Sequence, residues 1–277
     1  AEYVRGDLTD FNFCLAQLQS VDMVFHLAGI KGSINVTLSK PASFFVPLLM
    51  MNTNVLEAAR VNSVGRLVYT SSIGAYGPAE IFVESAEEEA GRPMDAFPGW
   101  AKRMAELQIK AYQKQYGISN YSVVRPCNVY GPGDNFDPEN AMVIPSLIAR
   151  VASGERPLKV WGDGHAVRDF AFSEDIAYGI LQTIYHGGPQ HYLNLGSGVG
   201  TTIRELVETL SNIIGFEYEF DVSKSSGFSR RVMDISLARK CVNYNPKTSL
   251  EIGLRKTWQW YESNFLEHEK KHNYFRK

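Results

Sequence analysis

Cysteine is scarce in this chain, with three in 277 residues, and Cys14, Cys127 and Cys241 are scattered. They make neither a disulfide framework nor a zinc-ligand spacing, and they fit a reducing, cytoplasmic setting. No secretory signal pattern is visible. Long apolar runs are missing too: the longest apolar-leaning stretch, Phe44 to Met51, is eight residues and contains Pro47. A membrane span needs about 20, so no membrane partner is expected. Positive charge is not in excess, since 28 Lys+Arg against 30 Asp+Glu leave a net charge of −2. No basic face is implied, and nucleic acid is not an expected partner. The motifs H-E-x-x-H, G-x-x-x-x-G-K-[ST] and G-x-S-x-G are absent, which removes zincin, P-loop and serine-hydrolase chemistry. The histidines stand apart except for His268 and His272 in a charged tail. That pair reads as a solvated helix face, and no metal site is expected.

What is present is material for a large core, with 44% hydrophobic and 12% aromatic residues. Val21 to Gly29 is a short apolar run ending in Ala-Gly and reads as a buried strand leading into a loop. Asn52 to Val61 continues a helical stretch, and Arg66 to Ser72 is a second buried strand. Trp100 to Tyr116 is an amphipathic helix closed by Gly117. Tyr121 to Pro126 is a third strand. Buried strands alternating with helices predict an α/β fold with a doubly wound parallel sheet of the Rossmann type. After Asn128 the texture becomes turn-rich. The remainder reads as a smaller, interleaved α/β domain: residues 1–126 and about 169–186 form the first unit, 127–168 and 187–277 the second.

Leu193 to Gly200 (LNLGSGVG) imitates a dinucleotide-binding loop. Its spacing is G-x-G-x-G rather than G-x-G-x-x-G, and only a short length of chain follows. It is read as a connection between a strand and a helix, with glycines supplying positive-φ turns.

The ordered set of segments carries more. Gly6-Asp7-Leu8, Phe25-His26-Leu27-Ala28, Thr70-Ser71-Ser72 with Tyr76-Gly77, and Trp100-Ala101-Lys102 follow one another. Then come Arg125-Pro126-Cys127-Asn128-Val129-Tyr130-Gly131-Pro132, Trp161-Gly162-Asp163-Gly164, Arg168-Asp169-Phe170, the Leu-Asn-Leu-Gly-Ser-Gly strand and Asp234-Ile235-Ser236. This order resembles the extended short-chain dehydrogenase/reductase family, in its nucleotide-sugar epimerase/dehydratase group. Asp134-Asn135-Phe136-Asp137-Pro138, Val143-Ile144-Pro145 and Lys224-Ser225-Ser226-Gly227 are nearest in pattern to its GDP-L-fucose synthase branch. The resemblance implies NAD or NADP as cofactor, a nucleoside-diphosphate sugar as substrate, chemistry through a keto sugar, and a homodimer built on two helices, about Phe44–Val61 and Trp100–Tyr116. The alternative is a non-catalytic nucleotide- or NAD(P)-binding regulatory subunit of the same fold.

By the same resemblance Ser72 and Lys102 are the catalytic candidates. Asp7, Leu8, His26, Leu27, Ala28, Thr70, Lys102 and Pro126 are expected to bind the cofactor. Asn128, Val143, Trp161, Arg168 and Lys224 are expected to bind the substrate, with Asn128 and Arg168 on the diphosphate. A guanidinium is a forked, permanently charged donor suited to that task. Each has a plainer reading: Ser72 as a strand-end hydrogen bonder, Lys102 as a surface lysine, Asp7 as a turn or cap, Trp161 as core, and Arg168 as the partner of Asp169 or Asp175. Cys127 reads as a small buried filler.

Departures from the family pattern are as informative. Family members open with a glycine-loop unit before the Gly-Asp-Leu segment, so roughly 45–60 residues of such a unit are expected to lie outside this chain or to have been lost. The family's Tyr-x-x-x-Lys pair is broken: none of the 14 tyrosines has Lys four positions on, and Pro98 stands four before Lys102. The cysteine and histidine expected in the fucose-synthase branch are Gly74 and Met142. Both donors for a double epimerisation are therefore absent.

Overall fold

The computed structural model describes residues 2–84, 91–137, 139–187, 192–224 and 227–268. Pro138, Ser225, Ser226 and His272 from the segments above lie outside them. The fold is α/β and built on parallel strands, as expected. A four-stranded sheet runs β1 (Met23–His26), β2 (Arg66–Thr70), β4 (Tyr121–Pro126), β8 (Leu193–Leu195), parallel throughout. Every residue of β4 is buried, because helices cover both faces of a central strand. On one face pack α1 (Phe11–Gln17), α3 (Pro41–Val61) and α4 (Ala96–Tyr116), around Leu56, Leu67, Tyr69 and Ile109. On the other pack α6 (Ser173–His186) and α8 (Ser236–Val242), around Val68, Val124, Ile180 and Leu195. Both long helices begin earlier than their apolar periodicity suggests. Gly117 ends α4 in the left-handed conformation at φ 69°.

The first strand differs from its expectation as a buried run. β1 alternates, with Val24 and His26 buried and Met23 and Phe25 each 38% exposed. It is an edge strand, and only one of its faces is packed.

A second sheet runs β3 (Ile81–Phe82), β11 (Arg230–Met233), β7 (Val167–Phe172), β5 (Asn128–Tyr130), with β9 (Gly200–Thr202) antiparallel to β7. β6 (Leu158–Trp161) and β10 (Tyr218–Asp221) form a separate parallel pair. Helices α5 (Val143–Ala152), α7 (Ile203–Ile214) and α9 (Leu250–His268) close a core around Phe136, Ile148, Phe172 and Leu206. Sheet membership departs from the sequence boundary at three strands: β7, whose Asp169–Phe172 were expected in the first unit, lies in the second sheet, and two short strands change sides. β8, expected in the second unit, extends the first sheet, and β3, expected in the first, joins the second. Hydrogen-bond partners far apart in the chain decide this, and strands of two or three residues carry too little pattern to reveal it.

The glycine run is a tight strand connection, with β9 inserted before α7. Its backbone donors are already used: Ser197 N–H donates to Asp169 Oδ1 at 2.8 Å and Gly198 N–H to Asp169 Oδ2 at 3.1 Å. The protein's own carboxylate occupies the anion-binding curl that a phosphate would need.

One buried ion pair ties the first sheet to its helices. Arg125, on β4 and fully buried, donates from Nε and Nη2 to both oxygens of Glu106 on α4, at 2.9 and 2.5 Å. Tyr76 and Tyr192 cover the guanidinium, their ring centroids 4.2 and 3.7 Å from Cζ. Removing one partner of such a pair costs about 3–5 kcal/mol. Arg125→Met should lower the unfolding free energy by that order, measured by urea denaturation.

Candidate active site

The site forms where β2 leaves the sheet. The carboxyl ends of parallel strands face a crevice in doubly wound folds, and the chain turns there through Ser71 and Ser72 into a single 3-10 turn, Ile73–Ala75. Ser72 Oγ accepts the Gly74 N–H at 3.0 Å, so the hydroxyl caps the turn and keeps its proton to donate. Ser71 donates to Glu106. The helix α4 lies hard against this turn: a Cβ on Gly99 would stand 2.5 Å from the Gly74 carbonyl oxygen.

Lys102 comes from that helix. Its Nζ donates to the Thr70 carbonyl at 2.7 Å and lies 5.2 Å from the Tyr69 ring centroid. Burial lowers its pKa to about 8, against a smaller opposing pull from Glu106. Behind it is a polar core. His26 Nε2 is 3.0 Å from Asn52 Oδ1, and Asn52 Nδ2 donates to the Tyr69 hydroxyl at 2.9 Å. Burial, aided by Lys102, drops the His26 pKa to about 4, so its ring is neutral at neutral pH. Burial pushes the Tyr69 phenol well above its ordinary range. Tyr69 is therefore no substitute for the missing acid/base tyrosine.

Leu8, His26, Leu27 and Ala28 line one shallow groove of about 170 Å3 beside β1, together with Val55. The exposed Asp7 carboxylate accepts from the Thr9 N–H and hydroxyl, the turn role that was its plainer reading. Thr70 Oγ1 is buried with no hydrogen-bond partner among the described residues. Pro126 ends β4 and is buried. A buried ammonium and an orphaned hydroxyl at the end of β2 fit the ribose and nicotinamide end of a dinucleotide. Such a cofactor supplies hydride exchange.

The substrate candidates divide. Asn128 Nδ2 donates to the Asp169 carbonyl at 2.9 Å, across paired β5 and β7. Arg168 lies opposite Arg231 in the pairing of β7 with β11. Its Nη1 donates to the carbonyls of Val167 and Phe228 at 2.9 and 2.7 Å, and burial beside Arg231 lowers its pKa to about 10. Asp169 is engaged by Ser197 and Gly198, and Asp175 by the Lys247 and Thr248 N–H groups. Trp161 is 53% exposed at the end of β6, which rules out its core reading. It pairs in register with Asp221, and Lys224 follows, exposed, in the turn after β10. Val143 opens α5 and packs half-buried on the second core. Cys127 is buried, and its thiol pKa is raised by burial and then by Asp169.

Two residues outside the family motifs, Asp95 and Arg231, join the halves. Asp95 precedes α4, and its carboxylate lies 3.5 Å from Arg231 Nη1. Arg231 could have been noticed by its place three positions before Asp234. Asp95 carries no sequence signal beyond an acid before a helix. Pro98 sits in the first turn of α4, where a missing N–H has no intrahelical partner. Met142 precedes α5 without a side-chain cap.

Residues 1–196 match the family described as NAD dependent epimerase/dehydratase. The chain belongs to that family. It is 33% identical over 249 residues to the probable GDP-L-fucose synthase 1 of Oryza sativa subsp. japonica, covering 86% of this chain and 75% of the relative. It is 31% identical over 265 residues to the GDP-L-fucose synthase of Escherichia coli (strain K12), covering 89% and 82%. Among solved structures, a double mutant of the dTDP-glucose 4,6-dehydratase DesIV from Streptomyces venezuelae, with NAD bound, superposes with a TM-score of 0.84 at 26% identity, covering 97% of this chain and 81% of that one. The family is NAD(P)-dependent and works in nucleotide-sugar metabolism. Among the described residues no helix is long and apolar enough to cross a membrane.

Folding lowers the Lys102 pKa from the ordinary 10.5 to about 8. Between those values the unfolded chain binds more protons than the folded one, so this lysine makes stability rise with pH across that window and lends nothing below it. Lys102→Met should flatten the rise, read as the difference between variant and wild-type unfolding free energies from pH 8 upward.

Proposed function

We propose that the protein is an NAD(P)-dependent oxidoreductase or epimerase of a nucleoside-diphosphate sugar that works through a keto-sugar intermediate with a non-standard acid/base. The observation that carries this reading is the Lys102 ammonium on the Thr70 carbonyl beside Ser72, at the carboxyl edge of the sheet. Lys102, Thr70 and Ser72 would hold the ribose and nicotinamide end of the cofactor and the reacting part of the sugar. Ser72 would orient the sugar's carbonyl or hydroxyl through its free O–H. Arg168, with Arg231 beside it, would hold the diphosphate, and Trp161 and Lys224 the outer part of the nucleotide. The names of the relatives favour a GDP- or dTDP-linked sugar, and that of a Streptomyces relative, dTDP-4-dehydro-6-deoxy-D-allose reductase, favours a 4-keto-6-deoxy one.

Pro98 in place of the family tyrosine favours a second reading, a nucleotide-binding regulatory subunit. Incubating the full-length protein with NADH or NADPH and GDP- or dTDP-4-keto-6-deoxyhexoses separates the two. Loss of nicotinamide absorbance supports the enzyme; tight sugar-nucleotide binding without turnover supports the subunit. In either case Arg168→Ala should weaken sugar-nucleotide binding roughly ten- to a hundredfold in calorimetry, the worth of a charge-assisted contact of about 1.5–3 kcal/mol.

The expected homodimer would use α3 and α4. Phe44 and Leu48 of α3 are buried inside the subunit at 1% exposure each and take no part in that contact. Exposed on these helices are Val46, Met50, Phe97, Trp100, Met104 and Leu107, an apolar set suited to a two-fold contact. Light scattering at micromolar concentration should give twice the chain mass; a monomer would refute the pairing.

A further inference from the structure

We infer that Asp95 is the proton-transfer group of this site, acting on the carbonyl or hydroxyl oxygen of the sugar. The inference rests on the oxidoreductase reading above, and it names a residue which that reading leaves open.

Four observations carry it. First, Asp95 occupies the N-cap position of α4, yet its side chain makes no capping hydrogen bond. An N-cap aspartate ordinarily accepts from the first turn of its helix, so this carboxylate is turned to something else. Second, it is turned into the notch left by Gly74. A Cβ on Gly74 would stand 2.5 Å from Asp95 Cγ and 2.8 Å from its Cβ. The absence of a side chain at Gly74, two residues past Ser72, is what admits the carboxylate. Third, the backbone holds it there: the Asp95 N–H donates to the Gly74 carbonyl at 3.2 Å, and the Gly99 N–H to the Asp95 carbonyl at 2.8 Å. Asp95 stands immediately before the helix that carries Lys102. Fourth, its counter-ion is incomplete. Arg231 Nη1 lies 3.5 Å from Asp95 Oδ1, while Arg231 Nε is buried without an acceptor among the described residues. A buried donor without an acceptor beside a carboxylate marks a place where a polar ligand completes the contacts.

In the reducing direction, Asp95 in its acid form gives its proton to the ketone oxygen as hydride reaches the ketone carbon. The C=O π bond breaks, and one C–H and one O–H bond form. A reduced nicotinamide dinucleotide held at Lys102 and Thr70 would supply the hydride with its two electrons and be oxidised in the exchange. Asp95 is left as a carboxylate facing Arg231. With its side chain 43% exposed, it regains a proton from solvent. The oxidising direction runs the same transfers backward, Asp95 accepting the hydroxyl proton.

The test uses the full-length protein with a dTDP- or GDP-linked 4-keto-6-deoxyhexose. Asp95→Asn should bind the sugar nucleotide within threefold of wild type by calorimetry and lose 10²–10⁴-fold in single-turnover reduction, the usual worth of a positioned acid or base. Formate should restore part of the rate in Asp95→Ala. Gly74→Ala, which displaces the carboxylate without removing it, should reproduce the loss. A readout independent of the cofactor is the infrared ketone band of the bound sugar: shifted down in wild type, unshifted in Asp95→Ala. An Asp95→Asn rate within threefold of wild type, binding that falls in step with the rate, or an unshifted band in wild type overturns the inference. If wild type binds without turnover, the oxidoreductase reading fails, and the band alone decides whether Asp95 touches the ketone.

Discussion

The Glu106–Arg125 pair is the constraint on which the site depends. Arg125 stands on the central strand β4, fully buried, and a helix brings it a carboxylate. Glu106 meets it from α4, one turn beyond Lys102, and also accepts from Ser71 at the end of β2. The rotation and height of α4 on the sheet are thereby set. Lys102 falls on the Thr70 carbonyl, and the helix start falls on the Gly74 turn. The tyrosines on either side of the guanidinium extend the same restraint. Tyr76 hydrogen-bonds Asn194 at 2.8 Å, and Asn194 donates in turn to the carbonyls of Phe82 and Asp234. The pair thus reaches from α4, through β4 and β8, to the strands of the second sheet.

The two halves of the candidate site meet because short strands are exchanged between the sheets. β3 leaves the neighbourhood of β2 and pairs with β11. That pairing holds β11 where Arg231 faces Asp95 on one side and Arg168 of β7 on the other. Burial, and then the neighbouring Arg231 charge, make the Arg168 guanidinium costly and lower its pKa. An anion lying across the two guanidinium groups would relieve that cost. Lys102, buried and with its own pKa lowered, has the same character on the other side of the crevice. Positive groups that are expensive when empty surround the place where a diphosphate and a ribose would lie.

Much of the fold was legible in the residues. The apolar runs at Arg66–Ser72 and Tyr121–Pro126 announced strands because a central parallel strand must be apolar on both faces. The helix from Trp100 to Tyr116 announced itself by periodicity and by Gly117. Lys102 and Ser72 were found from the order of motifs, and the loss of the tyrosine was readable by counting residues. The edge position of β1 was not legible, since its exposed residues, Met23 and Phe25, are as apolar as those of a fully buried strand. Nor was the seat of Trp161, because a tryptophan near a strand end suits core and surface alike.

By itself the sequence determined the parallel α/β class, the family order of segments, and the absence of a Tyr-x-x-x-Lys pair. Apolar period, residue spacing and likeness to a family's motif order are all carried by a chain before it folds. Only the tertiary structure decided which carboxylates are free to act. Asp169 and Asp95 look alike in the sequence as acids near motifs. Asp169 is consumed by the backbone donors of the glycine run. Asp95 leaves its cap unmade and fills the space beside Gly74. The difference arises from partners more than twenty residues distant along the chain, and contact across such distances exists only once the sheets have formed.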